Sequence, residues 1–228
     1  TCEASEPIAL AAKKIIAKNN YSDKIKVINK MSTNLDFNED LEAKADVIIS
    51  EILSSEFVGE GVQQTLSDAN QRLIKENGRM IPEAGEIKIA LLESNPEIQQ
   101  EMFVEEINGY DLSEFNNIME TKYFLHYLGR KAKTNLLSEA KVPFSFNFYN
   151  KEIISQKETI LEIEACKDGI CLGIITWLNL NLYENIYFEN HPNETCTSSW
   201  GNPIYKFIKP LKLSKGQVIK VKATLHKD

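Results

Sequence analysis

The sequence predicts an α/β chain in two parts: half of a doubly wound parallel sheet, then an antiparallel sheet forming a barrel or sandwich. Three observations carry this. Strand-like and helical patterns alternate as far as Pro82. The run "ADVIIS" at 45–50 is short and continuously apolar, the pattern of a parallel strand buried on both faces. Beyond Pro82 the apolar period shortens to two, with turn residues between the runs.

Taken in order, "TCEASEPIALAAKKIIAKN" opens on what reads as the last residues of a strand. A helix follows, with Ser5 as its cap and Pro7 in its first turn; Ile8, Ala11, Ala12, Ile15 and Ile16 form its apolar stripe. "KIKVIN" at 24–29 reads as a strand, and "ADVIIS" as the next. After the loop "SEILSSEFVGEG" at 50–61, "GVQQTLSDANQRLI" carries Val62, Leu66, Ala69 and Leu73 at helical spacing, and Asn77-Gly78 is expected to stop that helix. A nucleotide-binding sheet opens with a Gly-rich turn after its first strand, and no GxGxxG occurs anywhere in the chain. In the second part "EIKIALLES" is strand-like, and "NPEIQQEMFVEEINGYDLSEFNNIM" is expected to be largely helical with an interruption at Gly109. "PFSFNFYN" alternates Phe144, Phe146 and Phe148 with polar residues; "TILEIEA", "ICLGIITWLNLNL" and "QVIKVKATL" are further strands, the last alternating Ile219, Val221, Ala223 and Leu225. Turn signals fall at Asp168-Gly169, His191-Pro192, Gly201 to Pro203 and Lys215-Gly216.

With 228 residues and 43% hydrophobic content, the chain can bury one large core or two modest ones. A net charge of −7 argues against a sequence-blind nucleic-acid binder, which needs a basic face for phosphates. It suits a basic polypeptide partner, or solubility alone. Cys2, Cys166, Cys171 and Cys196 show no CxxC pair, so they read as free thiols of a reducing compartment, and no metal site is expected. Asn193-Glu194-Thr195 matches a glycosylation sequon that this compartment makes moot. No apolar run approaches the length of a membrane span, and no signal peptide is read at the start.

The loop at 50–61 raises a chemical question. Glu51 and Glu60 stand nine residues apart in a mostly small and apolar segment, the second between Gly59 and Gly61. Either they are solvated in a turn, or they converge on something positively charged.

Here the sequence resembles a known family, the protein arginine N-methyltransferases. "CEAS" is similar to the family's strand-end acidic motif, and "SEILSSEFVGEG" to its double-Glu loop, including the spacing. "NGRMIPEAGEIKIALLES" resembles the passage from the methyltransferase sheet to the barrel. "INGYDLSEFNN", "LSEAKVPFSFNF", "DGICLGIITWLNLNL" and "LKLSKGQVIKVKATL" resemble its barrel segments in order. The "FVGEG" form is most like the branch that includes the monomethylating (type III) enzymes.

The resemblance implies a partial Rossmann-like methyltransferase sheet over 1–82 and a β-barrel domain over 83–228. A helical dimerisation arm would be inserted near 117–137, and the N-terminal part with the Gly-rich cofactor turn would be lacking. It implies methyl transfer from S-adenosyl-L-methionine to the guanidinium of protein arginine. Glu51 and Glu60 match the carboxylates that hold the guanidinium, which is a planar fork of donors and stays charged. Glu3 matches the residue that binds the cofactor ribose. Met31 and Ser32 fall where the family lines the adenine, and Thr65 near the methionine end. Trp200 matches the aromatic beside the substrate pocket. Implied partners are an Arg-rich protein substrate and a second copy as homodimer, in the cytoplasm and also the nucleus. Two departures stand out: Ser199 replaces the His that precedes this Trp in the family, and Ser54 replaces an Asp of the close branch. These keep a second expectation open, a catalytically silent methyltransferase-like module that binds or scaffolds a partner. For the 228-residue chain alone, little activity is expected. His126, His191 and His226 match no catalytic place and read as surface or packing residues; Trp177 reads as barrel core.

Overall fold

The computed structural model describes all residues except 119–123, 127–133, 151–152, 155, 194–197 and 227–228. The chain forms two compact units. One comprises Thr1–Ser50, Gln63–Ile81 and Phe148–Ile153; the other comprises Glu51–Val62, Pro82–Asn147 and Ile154–Asp228.

The first unit is a small α/β body. Helix α1 spans Glu6–Lys18 and strand β1 spans Ala45–Ile49. Helix α2 spans Val62–Asp68 and continues as a π-helical turn, Ala69–Leu73, into strand β2, Ile74–Ile81. β1 and β2 pair in parallel, and a parallel bridge joins Cys2 to Ile28. The core is Leu35, Ala69 and Leu73, with Cys2, Ile28, Phe37, Leu41 and Ile48 packed against it. Tyr149 belongs to this unit because its hydroxyl accepts from Met80 N (3.0 Å) and its carbonyl from Asn70 Nδ2 (2.6 Å).

Several sequence expectations are corrected here. β1 is covered on one face only: Ile48 meets the core, while Val47 and Ile49 are exposed. The stripe of α1 is only partly its covered face: Ala12 and Ile16 are half-buried beside the buried Ala9, while Ile8, Ala11 and Ile15 face solvent. Ser5 holds the cap position without its side chain accepting a cap bond. The segment 24–29 contributes the single bridge at Ile28 rather than a strand. Asn77-Gly78 lies inside β2, not at a helix stop. A Cβ at Gly78 would lie 3.1 Å from the carbonyl oxygens of Ala45 and Asp46, so this glycine admits the backbone of β1.

The second unit is antiparallel. Strand β3 is Ala84–Glu93. Helix α3, Pro96–Met102, starts at Asn95, whose side chain accepts from Ile98 N. Strands β4 (Glu106–Ile107) and β5 (Tyr110–Asp111) follow, then a short helix α4 (Phe115–Ile118) and strand β6 (Phe124–His126). The later strands are β7 (Lys141–Asn147), β8 (Gln156–Glu164), β9 (Gly169–Tyr183), β10 (Ile186–Glu189), β11 (Asn202–Leu213) and β12 (Val218–His226). One sheet has the order β6-β11-β9-β3-β7 with β10 on β9; β12 and β8 pair separately.

Two cores form because β3 and β9 alternate. Ala90, Leu92, Leu172, Ile175 and Trp177 meet Ile98 and Met102 of α3 on one face. Ile89, Leu91, Cys171 and Ile174 meet Ile163 of β8 and Ile219 and Val221 of β12 on the other. The expected long helical stretch is shorter. α3 ends at Met102, and Asn108-Gly109, both with positive φ (53° and 83°), form the turn of the β4–β5 hairpin. Strand β11 tolerates Pro210 because its pairing with β9 shifts register between Lys206 and Leu211. Residues 119–123 and 127–133, which carry most of the expected dimerisation arm, lie outside the described residues; between them the backbone is strand β6, paired to β11.

Candidate active site

The loop carrying Glu51 and Glu60 folds with the antiparallel unit, not with the α/β unit where the sequence placed it. The cause is Phe57. This side chain is fully buried, and its ring stacks on Phe146 at a centroid distance of 4.5 Å. It occupies the notch left by Gly85, where a Cβ would come within 2.5 Å of the ring. Leu53 is buried beside it in the chain.

The loop is tied further by hydrogen bonds. Ser54 Oγ accepts from Glu56 N (3.3 Å) and Gly59 N (3.2 Å), so its hydroxyl shapes the loop itself. Phe57 N donates to Ser54 O (2.9 Å). From the β10–β11 connection, Trp200 Nε1 donates to Leu53 O (2.7 Å) and Gly201 N to Ser55 Oγ (2.9 Å).

That connection is fixed in turn by Asn190, which is buried. Its Oδ1 accepts from Leu178 N (2.7 Å) and its carbonyl from Asn202 Nδ2 (2.9 Å), while Nδ2 donates to the carbonyls of Trp200 (3.4 Å) and Gly201 (3.5 Å). Phe188 meets the Trp200 ring edge-on at 5.4 Å. The result is a loop whose apolar members point into the unit and whose carboxylates do not. Glu51 and Glu60 are both exposed, and Glu60 takes the left-handed backbone (φ 63°) directly before Gly61.

The residues expected to bind a cofactor lie in the first unit. Glu3 follows Cys2 and Asn29 follows Ile28, so both stand at the carboxyl ends of one parallel pairing, the edge where α/β sheets take ligands. Glu3 Oε1 accepts from Ser5 N (2.7 Å), and Asn29 Nδ2 donates to Glu3 O (2.8 Å) and Ala4 O (3.1 Å). Met31 is exposed and precedes the 3₁₀ turn Ser32–Asn34. Arg72 pins that turn: Nη1 donates to Leu35 O (3.0 Å), and Nη2 to Ser32 O (3.2 Å) and Thr33 O (3.1 Å), while Asp68 holds Nε at 2.6 Å. Thr65 is half-buried on α2. Sequence reading missed Ser55, Phe57, Gly85, Asn190 and Arg72. A glycine in a strand pattern was the one available signal, at Gly85.

No family model matches the chain. A curated arginine N(omega)-methyltransferase from Streptomyces achromogenes subsp. streptozoticus is 29% identical over 219 residues, 96% of this chain and 60% of the relative. A protein arginine N-methyltransferase 7 from Oryza sativa subsp. indica is 29% identical over 213 residues, 89% of this chain and 29% of the relative. Along most of its length this chain is similar in sequence to arginine N-methyltransferases. A third relative, protein arginine N-methyltransferase 1.6 of Arabidopsis thaliana, is 30% identical over 203 residues and is spanned over 28% of its length. Among solved structures, the Trypanosoma brucei PRMT1 enzyme–prozyme heterotetrameric complex with AdoHcy matches 98% of this chain and 68% of its own at TM-score 0.78 and 18% identity. That likeness establishes the arginine-methyltransferase fold, a Rossmann-like sheet followed by a β-barrel domain. No helix among the described residues is long and apolar enough to cross a membrane, and no group of His, Cys, Asp and Glu among them forms a metal cluster.

Proposed function

We propose that this chain carries the acceptor grip and part of the donor site of an arginine N-methyltransferase acting on protein arginine. The observation that supports it most is the double-Glu loop: two exposed carboxylates on a loop anchored by its own apolar residues, in a chain similar to arginine methyltransferases along 96% of its length. S-adenosyl-L-methionine, when bound, supplies a methyl group on a positively charged sulfur. Glu3 fits its ribose, because one carboxylate oxygen remains beyond the Ser5 bond to accept from a hydroxyl. Met31 and Ser32 would lie along the adenine and Thr65 toward the methionine end.

Glu51 and Glu60 act on the acceptor. Charge-assisted bonds from the guanidinium draw its positive charge toward the carboxylates and leave one nitrogen richer in electrons. Glu51 and Glu60 would hold that nitrogen ready to take the donor's methyl group. The proton it then sheds passes to Glu51 or Glu60. Trp200 borders the acceptor in this reading, and pairing of two copies belongs to it as well.

A second reading differs in the acceptor alone. The Streptomyces relative is described as acting on arginine, without mention of protein, which favours free arginine as the alternative. One assay separates the two: methyl transfer from labelled donor to an Arg-rich peptide and to free L-arginine, read by mass spectrometry, with arginine-probe titration alongside. Glu51→Gln and Glu60→Gln are each expected to weaken probe binding about 10- to 100-fold, the worth of one charge-assisted bond. Unchanged binding in both variants would overturn the reading. Probe binding without methyl transfer to either acceptor would identify a silent module.

A further inference from the structure

We propose that Phe57 is the positioning residue of the double-Glu loop, and that the loop is preformed on the antiparallel unit. This rests on the reading of Glu51 and Glu60 given above. Three observations converge on it. Phe57 has a left-handed backbone (φ 75°), which a bulky side chain adopts only where its surroundings impose it. Its ring is fully buried between Phe146 and the Cβ-free face of Gly85. The residues on either side of it are tied within the same unit, Leu53 and Ser55 to the Trp200 segment and Gly59 to Ser54 Oγ.

The geometry explains the alternation in "SSEFVGEG". An anchor at Phe57 and a left-handed turn at Glu60-Gly61 leave Glu51 and Glu60 exposed at either end of a fixed segment. A guanidinium needs two carboxylates at a set separation, and a flexible loop would lose affinity by having to order itself on binding. The indole N–H of Trp200 is engaged by the loop backbone, so this side chain supports the grip from behind as well as bordering it. Preformation on this unit has a functional consequence: the arginine side chain binds without the methyl donor.

The test is a size swap. Gly85→Ala puts a methyl group where the Phe57 ring lies, and Phe57→Leu replaces the ring by a smaller side chain; the double variant relieves the clash with the ring and leaves the closer approach to Leu180 Cδ2 (2.9 Å), which the flexible end of that side chain can take up. Amide exchange at Phe57, Gly59 and Gly201 reads the loop, exchange at Ile175 and Trp177 in β9 reads the core, and titration with Nα-acetyl-arginine methylamide, without donor, reads the grip. Each single variant is expected to speed loop exchange at least tenfold with β9 unchanged, and to weaken the probe at least tenfold. The double variant is expected to recover a large part of both. Unchanged loop exchange in the single variants, or faster exchange of loop and β9 together, overturns the anchoring. Faster loop exchange with unchanged probe affinity overturns the positioning role. If the wild-type chain binds no probe, the arginine reading falls, and the exchange data then decide the anchoring by themselves.

Discussion

Strands β1 and β9 are both rich in apolar residues in sequence, and they end in opposite environments. In β9 the residues from Cys171 to Leu178 are all buried, because α3 covers one face and β8 and β12 the other. In β1, Ile48 reaches a core while Ile49 is 76% exposed. The difference teaches that an apolar run specifies a strand but not its cover. A parallel strand is buried by helices on both faces, and those come from elsewhere in a chain; antiparallel neighbours arrive through short turns and bury each other locally.

The largest test of this contrast pairs one substitution in each unit. Trp177 is fully buried, and its Nε1 donates to Glu189 Oε1 (2.6 Å), which also holds Lys88 at 3.0 Å. Trp177→Ala is expected to cost about 3–5 kcal/mol in urea unfolding. Ile49→Ala is expected to stay within about 0.5 kcal/mol. A large effect at Ile49 would mean that the exposed face of β1 is covered in solution. Next in size is Gly78→Ala. The added Cβ would meet Ile74 Cγ1 at 2.4 Å and press on the carbonyls of Ala45 and Asp46, so about 1–3 kcal/mol should be lost. The loss should speed amide exchange in β1 and β2 and leave β9 protected; equal exchange in both would show that the units unfold together.

The antiparallel half was legible because period-two alternation states which face is buried. Phe144 and Phe146 of β7, and Leu225 of β12, are buried where that pattern puts them. The β4–β5 hairpin was not, since the surrounding residues carry helix-forming charge and only Asn108-Gly109 marks the turn. In the candidate site, the pair Glu51 and Glu60 was visible as chemistry out of place in an apolar loop. Their attachment was not, because Phe57, Gly85, Ser55 and Asn190 are joined by tertiary contacts that have no period in sequence.

A smaller expected effect than that of Gly78→Ala is the most specific to the antiparallel core. Lys206 of β11 is buried; Nζ donates to Met102 O (3.0 Å) at the end of α3 and lies 4.7 Å from the centroid of the Phe103 ring. Burial lowers its pKa from the ordinary 10.5. The folded state therefore releases this proton at lower pH than the unfolded state does. Below the folded value both states carry it and the full burial penalty applies; as pH rises from there toward 10.5 the penalty is relieved and stability increases. Lys206→Met keeps the stem, removes the charge and gives up the bond to Met102 O. Its stability at neutral pH should stay within about 1 kcal/mol of wild type, the lost bond offsetting the relieved charge. Urea unfolding across the alkaline range should show the rise in wild type and its loss in the variant. An identical rise in both would assign the pH dependence to other groups and leave Lys206 as a helix-end contact alone.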